Sequence, residues 1–554
     1  MKMITFMMKY SLLFFLSIIT VMAVQGQPPD PLENIVITAQ KKKTRVRTTE
    51  NGILQVNVSP KDALKFKAAG MVRYSDFGAR GDGKTDDMDA IAATHAFAGQ
   101  YGLRVKADEE ATYYISGKAR TAVIRTDTDF GTAAFIIDDT NVEDRNAPVF
   151  LVSSGLAPFE LKGISSLRRD QAKIDVSLPG TCLITVTNAD VRHYIRFGPN
   201  QDNGSAQTDI FVADKDGRVD MDAPIIWDFD RITGITALPI DEKTLTITGG
   251  RFTTIANQAE SKYTYYSRNI AIRRSNVVVD GLEHRVTGEG DHGAPYGGFI
   301  NIGDCAYVTV KNTVLTGHMT YRTIGSAGEP VSMGSYDISV NRALNVSFVN
   351  CSQTNDINDT RYWGILGSNY CKNLLYDHCV FSRFDAHKGV ANATIRNSTL
   401  GHMGINAIGS GTLTVENTTV RGWSFINLRS DYGSTWQGTF IIRNCIFVPA
   451  RPARVALIGG SYSGQHDFGY TCYMPERITI ENLKIDDSNH PEDYQGPAIF
   501  TDFNPQMTGD TYVEQFPYVR TREVILRNVI TASGKPLRVS DNPFMFRDVK
   551  VSKD

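Results

Sequence analysis

The sequence has almost no net charge. Its 58 Lys and Arg stand against 60 Asp and Glu, a formal −2 at pH 7. That balance offers no basic field to a nucleic acid, so nucleic-acid binding is set aside. The seven cysteines (Cys182, Cys305, Cys351, Cys371, Cys379, Cys445 and Cys472) form no Cys-x-x-Cys pair and are odd in number. A zinc site or a disulfide framework is therefore not expected, and buried free thiols are. After the N-terminal segment no apolar run is long enough to span a membrane. Asn-Gly and Asp-Gly turns are not spaced regularly, which argues against the hairpins of a β-sandwich.

Lys2 and Lys9 precede an apolar run over residues 12–24, and Gly26 follows it. This reads as a cleavable signal peptide over residues 1–26, too short for a membrane anchor. With no cysteine near the cleavage point to carry a lipid, a secreted or periplasmic protein is expected. Residues 27–70 carry a basic run (Lys41, Lys42, Lys43, Arg45 and Arg47) and read as a linker with at most one strand.

Seven stretches share one pattern: a β-branched or apolar run, one polar residue, then Asn. They end at Asn312, Asn350, Asn397, Asn417, Asn444, Asn482 and Asn528. Ala393-Thr394-Ile395-Arg396-Asn397 and Leu413-Thr414-Val415-Glu416-Asn417 lie 20 residues apart. A short strand recurring at ~20 to 30 residues marks a solenoid. Val, Ile, Thr and Phe suit a half-buried strand, and Asn tolerates the left-handed turn that bends each coil. The expectation is an all-β, right-handed parallel β-helix, with the Asn amides in a ladder inside the stack.

Residues 74–87 read Tyr-Ser-Asp-Phe-Gly-Ala-Arg-Gly-Asp-Gly-Lys-Thr-Asp-Asp and pass into Met88-Asp89-Ala90-Ile91. A strand and a Gly/Asp turn lead into a helix, with Thr85 and Asp86 placed to cap it. Such a helix would cover the open end of a solenoid. This segment resembles the N-terminal signature of the pectate-lyase-like superfamily of β-helix proteins. The resemblance implies a fold shared by polysaccharide lyases, polygalacturonase-type hydrolases and tailspikes, without fixing the reaction. Residues 71–260 are expected to hold the N-terminal helical cap and early coils with an inserted β-rich segment. The inserted part includes His193-Tyr194-Ile195-Arg196-Phe197-Gly198. Residues 261–554 are expected to form the regular coils and the active-site groove.

Chemistry on a β-helix sits on an outer face, and the densest polar region is residues 356–432. Where other coils place apolar residues or Gly, this region places His387, Lys388 and Arg429. A lyase acting on a uronic acid needs a base for the C5 proton, cations for the carboxylate and an acid for the leaving oxygen. Lys388 or His387 is the candidate base. Arg383 and Arg429 are the candidate carboxylate grip, and Tyr432 or Tyr362 the candidate acid. Arg361, Tyr362, Trp363 and Trp436 are candidate sugar contacts. His402, in a Gly-His-Met triplet repeated at His318, and His292, on a Gly-rich loop, are further candidates. Calcium in place of an arginine would draw on Asp356, Asp359 and Asp385. The ordered elements of polygalacturonase-like hydrolases are absent, which lowers the hydrolase alternative. A carbohydrate-binding adhesin is the non-catalytic alternative. The leading expectation is a monomeric lyase of an anionic, uronate-containing polysaccharide of glycosaminoglycan or pectic type. Lys388→Ala and Arg429→Ala are expected to leave the fold intact, both residues pointing outward.

Overall fold

The computed structural model describes residues 31–40, 45–260, 263–290 and 293–553. The expected signal peptide and the candidate His292 lie outside the described residues. Stacked parallel strands dominate, and 27 of the described strands share one hydrogen-bonded system. One column runs in register through Val277, Val308, Val346, Leu374, Ala393, Leu413, Phe440, Ile478 and Val524. Each of these side chains is at most 2 % exposed. The expected strand pattern is therefore the inward face of successive coils. Parallel strands buried on one face and spaced ~4.8 Å apart turn such a column into a continuous apolar core.

The Asn turns are present, but on the outside. Asn312, Asn350, Asn397, Asn417, Asn444, Asn482 and Asn528 have φ between 47° and 53°. Their amides bond coil to coil: Asn350 to Asn312 at 2.7 Å, Asn417 to Asn397 at 3.2 Å, Asn444 to Asn417 at 3.2 Å and Asn528 to Asn482 at 2.9 Å. The ladder runs along the exposed edge of the turn, because the left-handed residue turns its side chain away from the core. Two coils replace Asn, with Gly281 and His378 at the left-handed position. There the preceding Asp takes over: Asp280 accepts from Asn312 at 2.7 Å, and Asp377 accepts from Asn397 at 2.9 Å.

Residues 35–69 are more structured than a linker. Ile35–Thr38, Val46–Thr48 and Leu54–Asn57 form a three-stranded sheet, followed by helix α1, Pro60–Ala69. Ser59 caps α1 by accepting from the Asp62 amide at 3.1 Å. The expected end cap is helix α2, Met88–Tyr101, buried along most of its length. Its N-cap position is Asp87; of the two expected capping residues, Asp86 accepts the Met88 amide at 3.2 Å, while Thr85 lies in the strand Asp82–Asp86 and bonds to Asp82. Asp87 instead accepts the amides of Arg80 at 2.7 Å and Gly81 at 3.0 Å, holding the Gly/Asp turn closed.

The inserted segment leaves the coil after Phe150–Ser153 and rejoins it at Leu245–Ile255. Phe159–Glu160, Cys182–His193, Ser205–Ala213 and Gly234–Pro239 form its four-stranded antiparallel sheet. One face encloses a core including Ile184, Val186, Phe211 and Phe229. Leu183, Ile210 and Val212 of the other face pack on Ala306 and Leu344 of the coils. A buried ion pair pins the junction: Lys372 Nζ lies 2.8 Å from Asp209 Oδ1 and also donates to the Pro224 carbonyl. All seven cysteines are buried free thiols, as expected. No helix among the described residues is long and apolar enough to cross a membrane.

Candidate functional site

The insertion and the coils meet at Lys388. The strand Val380–Arg396 carries Arg383, Asp385, His387 and Lys388, and Arg429 follows the strand Ser424–Leu428 two coils further on, beyond the strand Thr399–Glu416. From the insertion, Ser205 Oγ accepts from Lys388 Nζ at 3.3 Å. Arg196, also from the insertion, binds Asp431 Oδ2 through Nη2 at 2.9 Å. Arg429 is held between two carboxylates, 2.7 Å from Asp431 and 3.5 Å from Asp385. Arg383 completes the row, 2.7 Å from Asp385.

Aromatic rings line this charge cluster. Lys388 Nζ stands 5.5 Å from the Tyr370 ring and 5.9 Å from that of Tyr432. The guanidinium groups of Arg196 and Arg429 lie 5.4 and 5.5 Å from Tyr432. Each is within cation–π range. His387 meets Tyr432 edge-on at 5.5 Å and places Nδ1 2.8 Å from Asn369 Oδ1.

The electrostatics follow from this packing. Burial lowers the Lys388 pKa, the Arg196 and Arg429 charges lower it further, and only Asp202 opposes them. Burial and the same cations hold His387 far below its usual range, so it is neutral. Asp431 is kept ionised: burial works against this, but Arg429 and Arg196 prevail. Burial raises the Tyr432 pKa and keeps its phenol protonated. The cluster thus pairs a lysine biased toward its neutral form with a protonated tyrosine. The three guanidinium groups (Arg196, Arg383 and Arg429) face three carboxylates (Asp202, Asp385 and Asp431), so the cluster carries an excess positive charge only when Lys388 is protonated.

No family model and no curated protein matches the chain. Solved structures do. The tailspike gp61 of Pseudomonas phage phi297 superposes with a TM-score of 0.50 at 12% identity, over 86% of this chain and 83% of that one. The tailspike gp49 of Pseudomonas phage LKA1 gives a TM-score of 0.49 at 13% identity, over 87% and 84%. The Gp54 tailspike of Acinetobacter baumannii bacteriophage AP22, solved with A. baumannii capsular saccharide, gives 0.47 at 8% identity, over 92% and 82%. The fold shared with gp61 is the right-handed parallel β-helix. At these identities the likeness establishes the fold, and the chemistry rests on this chain's own residues.

Other residues singled out in the sequence fall elsewhere on the β-helix. Trp436 is 0 % exposed, and its Nε1 donates to the Gly411 carbonyl at 2.9 Å. It belongs to the apolar core, its ring 5.7 Å from that of Phe440, and is not available to a sugar. Arg429 does not point outward; it is enclosed by Asp385 and Asp431. His402 sits 3.0 Å from the Ile357 carbonyl through both its amide and Nδ1, fixing the 354–363 loop rather than joining the Lys388 cluster. Arg361 is exposed and paired with Asp359 at 2.6 Å, with the Tyr362 ring 5.8 Å away. Trp363 reaches the cluster's edge, 5.7 Å from Arg383.

Asp356, Asp359 and Asp385 do not converge. Asp356 is exposed and bonds the Asn358 amide at 2.9 Å, Asp359 is taken by Arg361, and Asp385 is buried between arginines. No group of three or more His, Cys, Asp or Glu among the described residues is placed to hold a metal ion.

Sequence reasoning missed the insertion's contribution: Arg196, Ser205 and Tyr194, with Asp202 nearby. It also missed Tyr370, Tyr470 and the clamp function of Asp431. The one available signal was the His193–Gly198 stretch, an Arg among aromatics in an otherwise polar segment.

Proposed function

We propose that this chain is an exported polysaccharide lyase that cleaves a uronate-containing polymer by β-elimination at the Lys388 cluster. The observation that carries this reading is the desolvated Lys388 amine beside the guanidinium groups of Arg196 and Arg429 and a protonated phenol. Neutral Lys388 would take the C5 proton of the uronate. The C–H electron pair then forms the C4–C5 double bond while the C4–O bond breaks. Arg196 and Arg429 would stabilise charge spreading into the uronate carboxylate. Tyr432 would return a proton to the leaving oxygen, so the reaction needs no water and no external redox partner.

A hydrolase at this site is less well served. Glycoside hydrolysis needs a carboxylic acid kept protonated near neutral pH. Asp431 is held ionised by two arginines, and Asp359 is lowered to about 2 by hydrogen bonds from Arg361. Export is supported by the basic and apolar character of residues 1–26.

The test is ultraviolet absorbance from the unsaturated product. The chain without residues 1–26 would be incubated with chondroitin, hyaluronan, heparin, polygalacturonate and alginate, with and without calcium. A rise in absorbance is expected on at least one polymer and is lost in Lys388→Ala. New reducing ends without that absorbance would replace the lyase by a hydrolase. Neither signal, with polymer bound, would replace it by an adhesin.

A further inference from the structure

Trp423 is 65 % exposed, while Trp227 and Trp363 are half-buried and Trp436 is enclosed. Local structure holds it outside. The strand Thr419–Gly422 alternates, with Val420 inward and Arg421 outward, and Trp423 continues the outward set. The Ala450 amide donates to the Gly422 carbonyl at 2.7 Å and fixes the backbone just before the ring. Register pairs Arg421 with Val448 and Gly422 with Pro449, so Arg451 arrives beside Trp423 on the adjacent coil. Its guanidinium lies over the indole, 3.8 Å from the ring centroid. Pro449 and Pro452 bracket Arg451 and restrict the backbone that delivers it. Because Arg451 covers one face of the ring, the exposed area belongs to the other face and the edges.

Positive charge gathers around this ring. Arg421 stands two residues before Trp423 on the same outward side, and Arg454 lies exposed one turn beyond Arg451. Among the described residues, none of these three arginines has a carboxylate within ion-pair distance. Asp486, exposed on the next coil, accepts from Ser488 at 3.1 Å instead. The row at Lys388 is different, each of its arginines being met by an aspartate. The two places are also apart. Trp423 precedes the strand Ser424–Leu428 and Arg429 follows it, ~20 Å away at ~3.3 Å per residue.

An indole with a free face and unpaired guanidinium groups match two features of an acidic sugar. The ring takes its apolar C–H face, and the planar forks take its carboxylate or sulfate. A second protein would need a wider apolar area than one ring. A nucleic acid would need a longer basic track than three arginines. We infer that Trp423 and Arg451, flanked by Arg421 and Arg454, form a surface platform that holds an anionic polysaccharide outside the Lys388 cluster. The polymer's class rests on the lyase reading, but the platform is tested by binding alone.

The experiment is native electrophoresis through gels cast with chondroitin sulfate, hyaluronan, heparin, polygalacturonate or alginate, with dextran as the neutral control. The chain without residues 1–26 carries Lys388→Ala, so that polymer is not consumed during the run. At least one acidic polymer should slow it, and dextran should not. Adding Trp423→Ala or Arg451→Ala should raise the polymer concentration for half-maximal retardation about tenfold, with folding checked by the thermal transition. No retardation by any acidic polymer overturns the platform, as does retardation unchanged by either added substitution; the ultraviolet assay then still judges the lyase. Equal retardation by dextran overturns the acidic ligand. A dimer in sedimentation that Trp423→Ala dissolves overturns the platform in favour of a second copy of the chain. The expected retardation without any unsaturated product upholds the platform and removes the lyase.

Discussion

Lys388 and Ser205 meet across 183 residues of chain, Nζ to Oγ at 3.3 Å. The contact joins a coil of the β-helix to an antiparallel sheet inserted many coils earlier. It makes the candidate site composite: the coils supply Lys388, the proposed base, and two arginines, while the insertion supplies Arg196 and the wall that dries Lys388. A bare solenoid face would leave that lysine in water with an ordinary pKa.

The first prediction concerns pH. The base must be neutral, so activity should rise with pH through the pKa of Lys388. Burial, then Arg196 and Arg429, place that pKa below its ordinary 10.5, and Asp202 alone pulls it back up. Asp202→Asn should therefore move the rising limb of kcat/KM toward lower pH. Lys388→Arg, always charged, should lose at least ~100-fold in kcat. A limb that stays in place in Asp202→Asn would remove Lys388 from the role of base.

The second prediction separates stability from chemistry. Arg429 has only 13% of its side chain exposed and lies between Asp431 and a fully buried Asp385. Removing it leaves Asp385 with Arg383 alone and Asp431 with Arg196 alone. Arg429→Ala should lose ~1.5–3 kcal/mol of stability, the range for a hydrogen bond to a charged group, because each carboxylate keeps one arginine. Lys388 is bonded to a neutral hydroxyl, so Lys388→Ala should unfold close to the unaltered protein. Urea unfolding of both variants decides; equal midpoints would mean Arg429 is not clamped as described.

The solenoid was legible because its signal is local. Each strand's inward residues and the Asn that follows lie within five positions, and the pattern repeats. His387, Lys388 and Arg429 were legible as polar residues where other coils place apolar residues or Gly. Arg196 was not, because its partner Asp431 is 235 residues away and the pairing depends on how the insertion docks. Trp436 misled for the opposite reason. An aromatic in a polar region reads as a sugar platform, but the strand turns this ring into the core beside Phe440. The Asn ladder was legible as pairing and not as placement, since a left-handed residue carries its side chain outward.

The third prediction tests what the ladder contributes. Asn417 has φ 47°, donates to Asn397 and accepts from Asn444, both at 3.2 Å. Asn417→Leu should lose ~1–2 kcal/mol from the left-handed backbone alone, plus ~0.5–1.5 kcal/mol for each amide bond removed. Asn417→Gly removes the bonds but suits the backbone, so its loss should be the smaller one. Equal thermal transitions for Leu and Gly would show that the side-chain bonds, and not the turn, carry the effect.

The fourth prediction concerns stability against pH. His318 lies buried between Glu289 at 3.0 Å and Asp337 at 3.1 Å, with the Tyr296 ring 5.6 Å away; His284 shares Asp337 at 2.9 Å. Burial disfavours its charge, but Glu289 and Asp337 outweigh that and raise its pKa from 6.5 to about 10. A raised folded pKa gives stability that is complete below 6.5 and lost as pH climbs toward about 10, because the unfolded chain releases its proton first. His95 and His193 act in the opposite sense, burial lowering them from 6.5 to about 3 and about 4. Their contribution is present above 6.5 and lost as pH falls through that window. Among these three histidines, stability should therefore peak near pH 6.5 and decline on both sides. His318→Gln should flatten the alkaline decline without changing the acid one. Thermal transitions of both proteins across pH 5 to 10 measure this, and an alkaline slope unchanged in His318→Gln would mean that His318 does not hold its proton between the two carboxylates.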